Sequence, residues 1–172
     1  MHNTVKIVVS GDGGVGKTSF LNRLVHDHFN EDNKLTRGVD FFSKIIQVNG
    51  NEYNIILWDF AGQDQFKEII DKFVDGSIAA FILFDLSRLN TLETVLNWIH
   101  KLKTFGNIPI LLLGTKLDLV ESERIKLIDD YINQITERYE NVFEYLKISS
   151  KTGYNINQSF LSLMSKISQS KS

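Results

Sequence analysis

Val5-Lys-Ile-Val-Val9, followed after Ser10 by Gly11-Asp-Gly-Gly-Val-Gly-Lys17-Thr18, is the stretch that decides the fold. The first part is apolar and β-branched and predicts a strand. The second matches G-x-x-x-x-G-K-[ST] without a gap, and a helix opening near Lys17 carries Phe20, Leu21, Leu24 and Val25 inward. A strand, a glycine loop and a helix in that order suit a phosphate. The glycines let the backbone wrap tightly and aim N–H groups at phosphate oxygens, and the helix start adds its positive end. Lys17 is expected to reach the outer phosphates and the Thr18 hydroxyl to ligate Mg2+. The candidate phosphate-binding residues are Gly13, Gly14, Val15, Gly16, Lys17, Thr18 and Ser19. A glycine-rich turn without a ligand is the competing reading of the motif alone. The motif indicates a nucleotide but does not select the base.

Outward from this core, short apolar runs alternate with longer helical patterns. Residues 39–48 and 51–59 predict two antiparallel strands turning at Asn49-Gly50-Asn51. Ile78–Asp85 and Ile108–Gly114 are continuous apolar runs, as strands covered on both faces require. Helical spacing predicts helices over Thr91–Thr104, Glu121–Tyr139 and Ile156–Ile167, with a last strand over Val142–Ile148. The expected fold is α/β, a P-loop domain with a six-stranded, mostly parallel sheet and helices on both faces, one domain over residues 1–172. Ligands of such sheets sit at the carboxyl ends of the strands.

The composition narrows the function. Apolar residues make up 42% and charged residues 23% of the 172, ordinary values for a chain that holds its own core. The formal net charge is −2 with no long basic run, so nucleic acid is not the expected partner. The absence of cysteine excludes disulfides, thiolate catalysis and zinc–thiolate sites, and fits a reducing compartment. No apolar stretch approaches the ~18–20 residues of a membrane span. His2 replaces the glycine that myristoylation needs, and the final Ser-Lys-Ser cannot be prenylated, so no direct membrane anchor is expected in this chain.

Three further segments follow predicted strands: Trp58-Asp-Phe-Ala-Gly-Gln63, Thr115-Lys-Leu-Asp118 and Ile148-Ser-Ser-Lys151. Together with the glycine loop, in order and spacing over essentially the whole chain, they resemble the Ras-like small GTPases, and the Rab branch most. The resemblance implies a guanine-nucleotide switch that hydrolyses GTP to GDP with Mg2+. Asp118, buried, would accept from guanine N1–H and the exocyclic amine, which adenine cannot satisfy. Thr115, Lys116, Ser149, Ser150 and Lys151 would complete the base site, with the Ser150 N–H toward guanine O6 and Lys151 over the ring. Phe29 would meet the guanine edge. Asp59 would hold a Mg2+-bound water, the Gly62 N–H would contact the γ-phosphate, and Gln63 would orient the attacking water as the catalytic residue. Thr36 would bind Mg2+ and the γ-phosphate, so hydrolysis would release its loop.

The sequence also departs from the Rab pattern. Arg37 replaces an apolar residue in Thr36-Arg-Gly-Val-Asp-Phe41, Phe60 a threonine, Asp64 a glutamate, and Asn33 a frequent tyrosine. No arginine, Arg23 and Arg37 included, reads as an internal arginine finger, so slow turnover and a GTPase-activating protein are expected. Tight nucleotide binding calls for an exchange factor, and effectors are expected at switch regions 29–41 and 59–75, with Phe41, Trp58, Phe66 and Phe73 as candidate contacts. The chain reads as a monomer of the cytoplasm acting in vesicle traffic or signalling, meeting membranes through partners or a tail. The lipidated tail of Rab proteins does not follow Ser172; truncation is the favoured reading over a member without lipid. A metabolic P-loop kinase would need an acceptor site and arginines over the phosphates, and neither is evident. A GTP-holding scaffold with negligible hydrolysis is the alternative that intact Thr36 and Gln63 speak against.

Overall fold

A computed structural model of the chain describes residues 3–31, 39–48, 50–60 and 67–170, with only the backbone of 67–69. Strand β1 (Asn3–Gly11) leads through the glycine loop into α1 (Lys17–His26). The hairpin β2 (Val39–Val48) and β3 (Asn51–Phe60) follows, then α2 (Lys67–Val74) and β4 (Ala79–Asp85). A 3-10 turn (Leu89–Leu92) enters α3 (Glu93–Lys103), and β5 (Ile110–Thr115) leads to a second 3-10 turn (Leu117–Leu119). The helix α4 (Ser122–Arg138), β6 (Val142–Lys147) and α5 (Ile156–Ser170) complete the order.

The six strands form one sheet in the order β2-β3-β1-β4-β5-β6, with β2 alone antiparallel to its neighbour. The expected α/β architecture is therefore borne out. Period-two alternation sends side chains of one strand to opposite faces. Ile7 and Val9 of β1 face the core built with Phe20, Leu21 and Leu24 of α1 and Phe160, Leu163 and Ile167 of α5. Val8, between them, faces the second core with Val74 of α2, Val95 and Ile99 of α3, and Ile128 and Ile132 of α4. Phe20 meets Phe81 of β4 edge-on at 5.2 Å between ring centres. Burying such a side chain stabilises the fold by roughly 1.5–3 kcal/mol, so the sheet edges to which α1 and β4 deliver the loops are firmly held.

Boundaries moved where a specific group intervened. The apolar run from Ile108 enters the sheet only at Ile110, since Pro109 has no N–H and offers its carbonyl to Ala80 instead. The helix expected from Thr91 begins at Glu93 because the Thr91 hydroxyl is diverted: it accepts from Asp85 N–H (2.9 Å) and donates to the Arg88 carbonyl (2.8 Å). Helix α2 has no counterpart in the sequence reading. No helix among the described residues is long and apolar enough to cross a membrane.

Candidate nucleotide-binding site

The parallel strands β1, β3, β4, β5 and β6 all end at the same sheet edge, and their last residues bring the predicted site together. At Gly11 the chain takes φ 147°, and a Cβ there would lie 2.3 Å from the Leu83 carbonyl oxygen, so only glycine fits. The loop then turns through Gly14 and Gly16 in left-handed conformations into α1. Lys17, 6% exposed, folds back so that Nζ donates to the carbonyls of Gly11 (3.2 Å) and Asp12 (2.8 Å). Burial lowers its pKa, against the opposing pull of Asp59 and Asp12.

Three successive loop carbonyls are held from outside. Arg88 Nη2 donates to Gly13 (3.1 Å), Lys116 Nζ to Gly14 (3.1 Å), and Thr115 Oγ1 to Val15 (2.6 Å). Tying carbonyls outward leaves the loop's N–H groups for an anion on the other side. Both cations share the buried Asp85 at the end of β4: its Oδ2 lies 2.7 Å from Lys116 and 2.9 Å from Arg88, while Oδ1 accepts from the N–H and hydroxyl of Ser87. Burial would raise the Asp85 pKa, but Lys116, Ser87 and Arg88 together outweigh it and hold it low. Lys116 and Thr115, expected at the base, thus also join the base strand to the phosphate loop.

At the end of β3, Asp59 is fully buried and its Oδ2 accepts from the Thr18 hydroxyl at 2.5 Å. Its Oδ1 has no hydrogen-bond partner among the described residues. Burial pushes its pKa up, with Asp40 adding to the rise and Thr18 and Lys17 opposing it. A carboxylate with an unmet oxygen beside a hydroxyl fits a hard cation such as Mg2+. No group of three or more acidic, histidine or cysteine ligands exists among the described residues. A cation here would draw its other oxygens from phosphate and water, as Mg2+ commonly does.

The residues expected at the base lie beyond β5 and β6. Ser149 and Ser150 are buried, Ser149 Oγ donates to Asp118 Oδ1 at 2.6 Å, and Phe29 is half-buried after α1. Asp118 is itself exposed rather than buried as expected, because it stands on the 3-10 turn that projects past the end of β5. Lys151 Nζ pairs with Glu31 at 2.8 Å. Arg23 donates from Nε to the Ser150 carbonyl (2.8 Å) and from Nη2 to that of Lys151 (2.7 Å).

The phosphate, metal and base groups predicted from sequence thus converge on one edge, apart from Thr36, Gly62 and Gln63, which lie outside the described residues, as do Asn33, Arg37, Asp64 and Phe66. Sequence reasoning missed Asp85, Arg88 and Glu31, and gave Arg23 no role. Asp85 carried a usable signal, a lone carboxylate ending an apolar strand at the ligand edge. Beside the site, Trp58 lies between Phe41 (5.8 Å) and Phe73 (4.6 Å), with Phe41 61% exposed and Phe73 half-buried, as core packing would have it.

Such a fold and edge define a P-loop nucleotide-binding domain of the α/β class. The profile of the Ras family matches residues 6–169, and the chain belongs to that family. It is 31% identical over 167 residues to the human Ras-related protein Rab-22A, spanning 95% of this chain and 83% of that one. It is 34% identical over 158 residues to bovine Ras-related protein Rab-19, spanning 91% of this chain and 71% of that one, and 34% identical over 163 residues to the rat protein of that name. The chain is accordingly a small GTPase, as the Rab-like motifs implied.

Proposed function

We propose that the chain is a guanine-nucleotide switch that engages partners in its GTP form and releases them after slow hydrolysis, in intracellular traffic or signalling. The observation that carries this is the gathering, at the carboxyl ends of neighbouring parallel strands, of Lys17, Thr18 and Asp59 in one group and Asp118, Ser149 and Ser150 in another. In this reading the N–H groups of residues 13–19 and Lys17 hold the phosphates. Thr18, Thr36 and, through water, Asp59 hold Mg2+, which neutralises phosphate charge. Asp118 reads the guanine N1–H and amine, the Ser150 N–H reads O6, and Phe29, Thr115, Lys116 and Lys151 line the base. Gly62 contacts the γ-phosphate and Gln63 positions the water.

Slow turnover is consistent with the commitment of the guanidinium groups beside the site among the described residues: Arg88 to Asp85 and Gly13, Arg23 to the turn after β6. A GTPase-activating protein supplying an arginine adds ~10³–10⁵-fold. An exchange factor speeds nucleotide release. Effectors bind regions 29–41 and 59–75; Phe41 and Phe73 of those regions pack on either side of Trp58, and Phe41 is the exposed member of the three. The chain works as a cytoplasmic monomer, reaching membranes through partners or a tail.

The test is phosphate release from Mg2+·GTP by the purified chain, with ATP alongside and a Gln63→Leu variant. Slow release from GTP alone, lost in the variant, supports the switch. Equal use of ATP removes the role given to Asp118. Tight GTP binding without release in either protein favours a GTP-holding scaffold.

A further inference from the structure

We infer that Arg23 is a positioning residue for base selectivity, setting the guanine-reading turn and Asp118 from the phosphate helix; this rests on the base site proposed above. Arg23 lies on α1, the helix that Lys17 and Thr18 open, and its side chain is 19% exposed. Each of its nitrogens is engaged. Nη1 holds the Asp27 carbonyl (3.3 Å) and carboxylate (3.2 Å) at the end of α1, while Nε and Nη2 take the successive carbonyls of Ser150 (2.8 Å) and Lys151 (2.7 Å). The turn's own backbone uses a different carbonyl, that of Ser149, which accepts from the Gly153 N–H at 2.8 Å.

The two carbonyls matter through what lies on the other side of each peptide. In a trans peptide the N–H points opposite to the C=O it follows. Holding the Ser150 carbonyl therefore fixes the Lys151 N–H, and holding the Lys151 carbonyl fixes the Thr152 N–H. The Thr152 N–H donates to Ser149 Oγ at 3.1 Å. That bond occupies an acceptor site of the hydroxyl, whose own proton goes to Asp118 Oδ1 at 2.6 Å. A continuous hydrogen-bonded path thus runs from Arg23 through Lys151–Thr152 and Ser149 to the carboxylate that reads the base. The guanidinium edge suits this task because two N–H groups in a fixed plane meet two acceptors at once, which a lysine cannot do.

The consequence is selective. Loss of Arg23 loosens the groups that read the purine edge, while Arg88, Lys116 and Thr115 still hold the glycine loop, Lys17 still bonds the Gly11 and Asp12 carbonyls, and Thr18 still bonds Asp59. The experiment measures binding of GDP, of IDP (which lacks the exocyclic amine) and of GMP (which lacks the outer phosphate) by competition with fluorescent GDP. Wild type is compared with Arg23→Gln and Arg23→Lys. The expected result for Arg23→Gln is GDP binding weaker by about tenfold to a hundredfold. The preference for GDP over IDP shrinks, the preference for GDP over GMP stays, and Arg23→Lys falls between. An equal loss for all three nucleotides would mean general loosening and overturn the inference, as would unchanged GDP binding. If Arg23→Gln fails to fold, the two preferences are read on Arg23→Lys, where the same pattern is expected with a smaller shift. A wild type that does not prefer GDP to ADP would instead sink the base-site reading itself.

Discussion

The Thr18 hydroxyl donates to Asp59 Oδ2 at 2.5 Å, joining the first turn of α1 to the end of β3 across 41 residues of sequence. The contact leaves a buried carboxylate whose pKa is raised by burial above its ordinary value of 3.8. A raised acid favours folding in its protonated form, so that contribution is complete below the ordinary value and is lost as pH rises through the folded one. Asp59→Asn stays neutral throughout. Without nucleotide or Mg2+ the variant is expected to melt a few degrees above wild type at pH 7, with the gap closing toward pH 4. On the proposed role of Asp59 in holding the cation's water, adding Mg2+ and GDP should reverse the order. Melting curves across pH check both; a gap independent of pH would count against the role of burial.

Asp85 shows the opposite sign. Its pKa is held below 3.8 by Lys116, Ser87 and Arg88 despite its burial, so its stabilisation is present above that value and fades as pH falls through the folded pKa. Asp85→Asn leaves two cations unbalanced beside Gly13 and Gly14. Both are partly exposed, so the cost is discounted to about 2 kcal/mol, or about 4–8 °C in melting temperature. The glycine loop loses its outer anchors at the same time, and GDP release should quicken. A release rate equal to that of wild type would show that the loop does not need the Asp85 anchors.

Glu31 and Lys151 meet at 2.8 Å across the base end, both well exposed. Exposed pairs are weak and screened by salt. Glu31→Gln should therefore speed GDP release only a few-fold, and should blunt the acceleration that added salt produces in wild type. Release rates at low and high salt decide this, and equal salt dependence in both proteins would exclude the pair.

Gly11→Ala tests the close approach of β1 to β4. The new Cβ would stand 2.3 Å from the Leu83 carbonyl at φ 147°. Backbone must move to admit it, costing more than about 2 kcal/mol. The expected readout is a large fall in melting temperature or loss of soluble protein. Gly13→Ala is the control, since among the described residues a Cβ there meets nothing within 4 Å.

Much of the candidate site was legible because its motifs are local. A glycine loop between a strand and a helix needs only neighbours in sequence, so Gly11–Thr18 could be read directly, as could the hairpin around Gly50. Thr115–Asp118 and Ser149–Lys151 were legible because each follows an apolar strand whose carboxyl end the α/β pattern places at the ligand edge. The anchors were not legible. Nothing near Arg23 says that its guanidinium meets carbonyls 127 and 128 residues away, and nothing near Arg88 says that it holds Gly13, 75 residues back.

By itself, then, the sequence determined the order of the strands and of every helix but α2, the residue types suited to phosphate, base and Mg2+, and the family they resemble. Periodicity and motif spacing are properties of contiguous residues and survive without a fold. Only the tertiary structure decided which polar groups are spent on holding others. The sheet brings five strand ends together, and there the carbonyls of Gly13, Gly14, Val15, Ser150 and Lys151 take side-chain donors from other elements. A buried backbone carbonyl such as that of Val15 must be paired somewhere, and the more exposed ones gain a partner in place of water. Which side chain supplies the partner is a matter of distance in space, and that is set by packing.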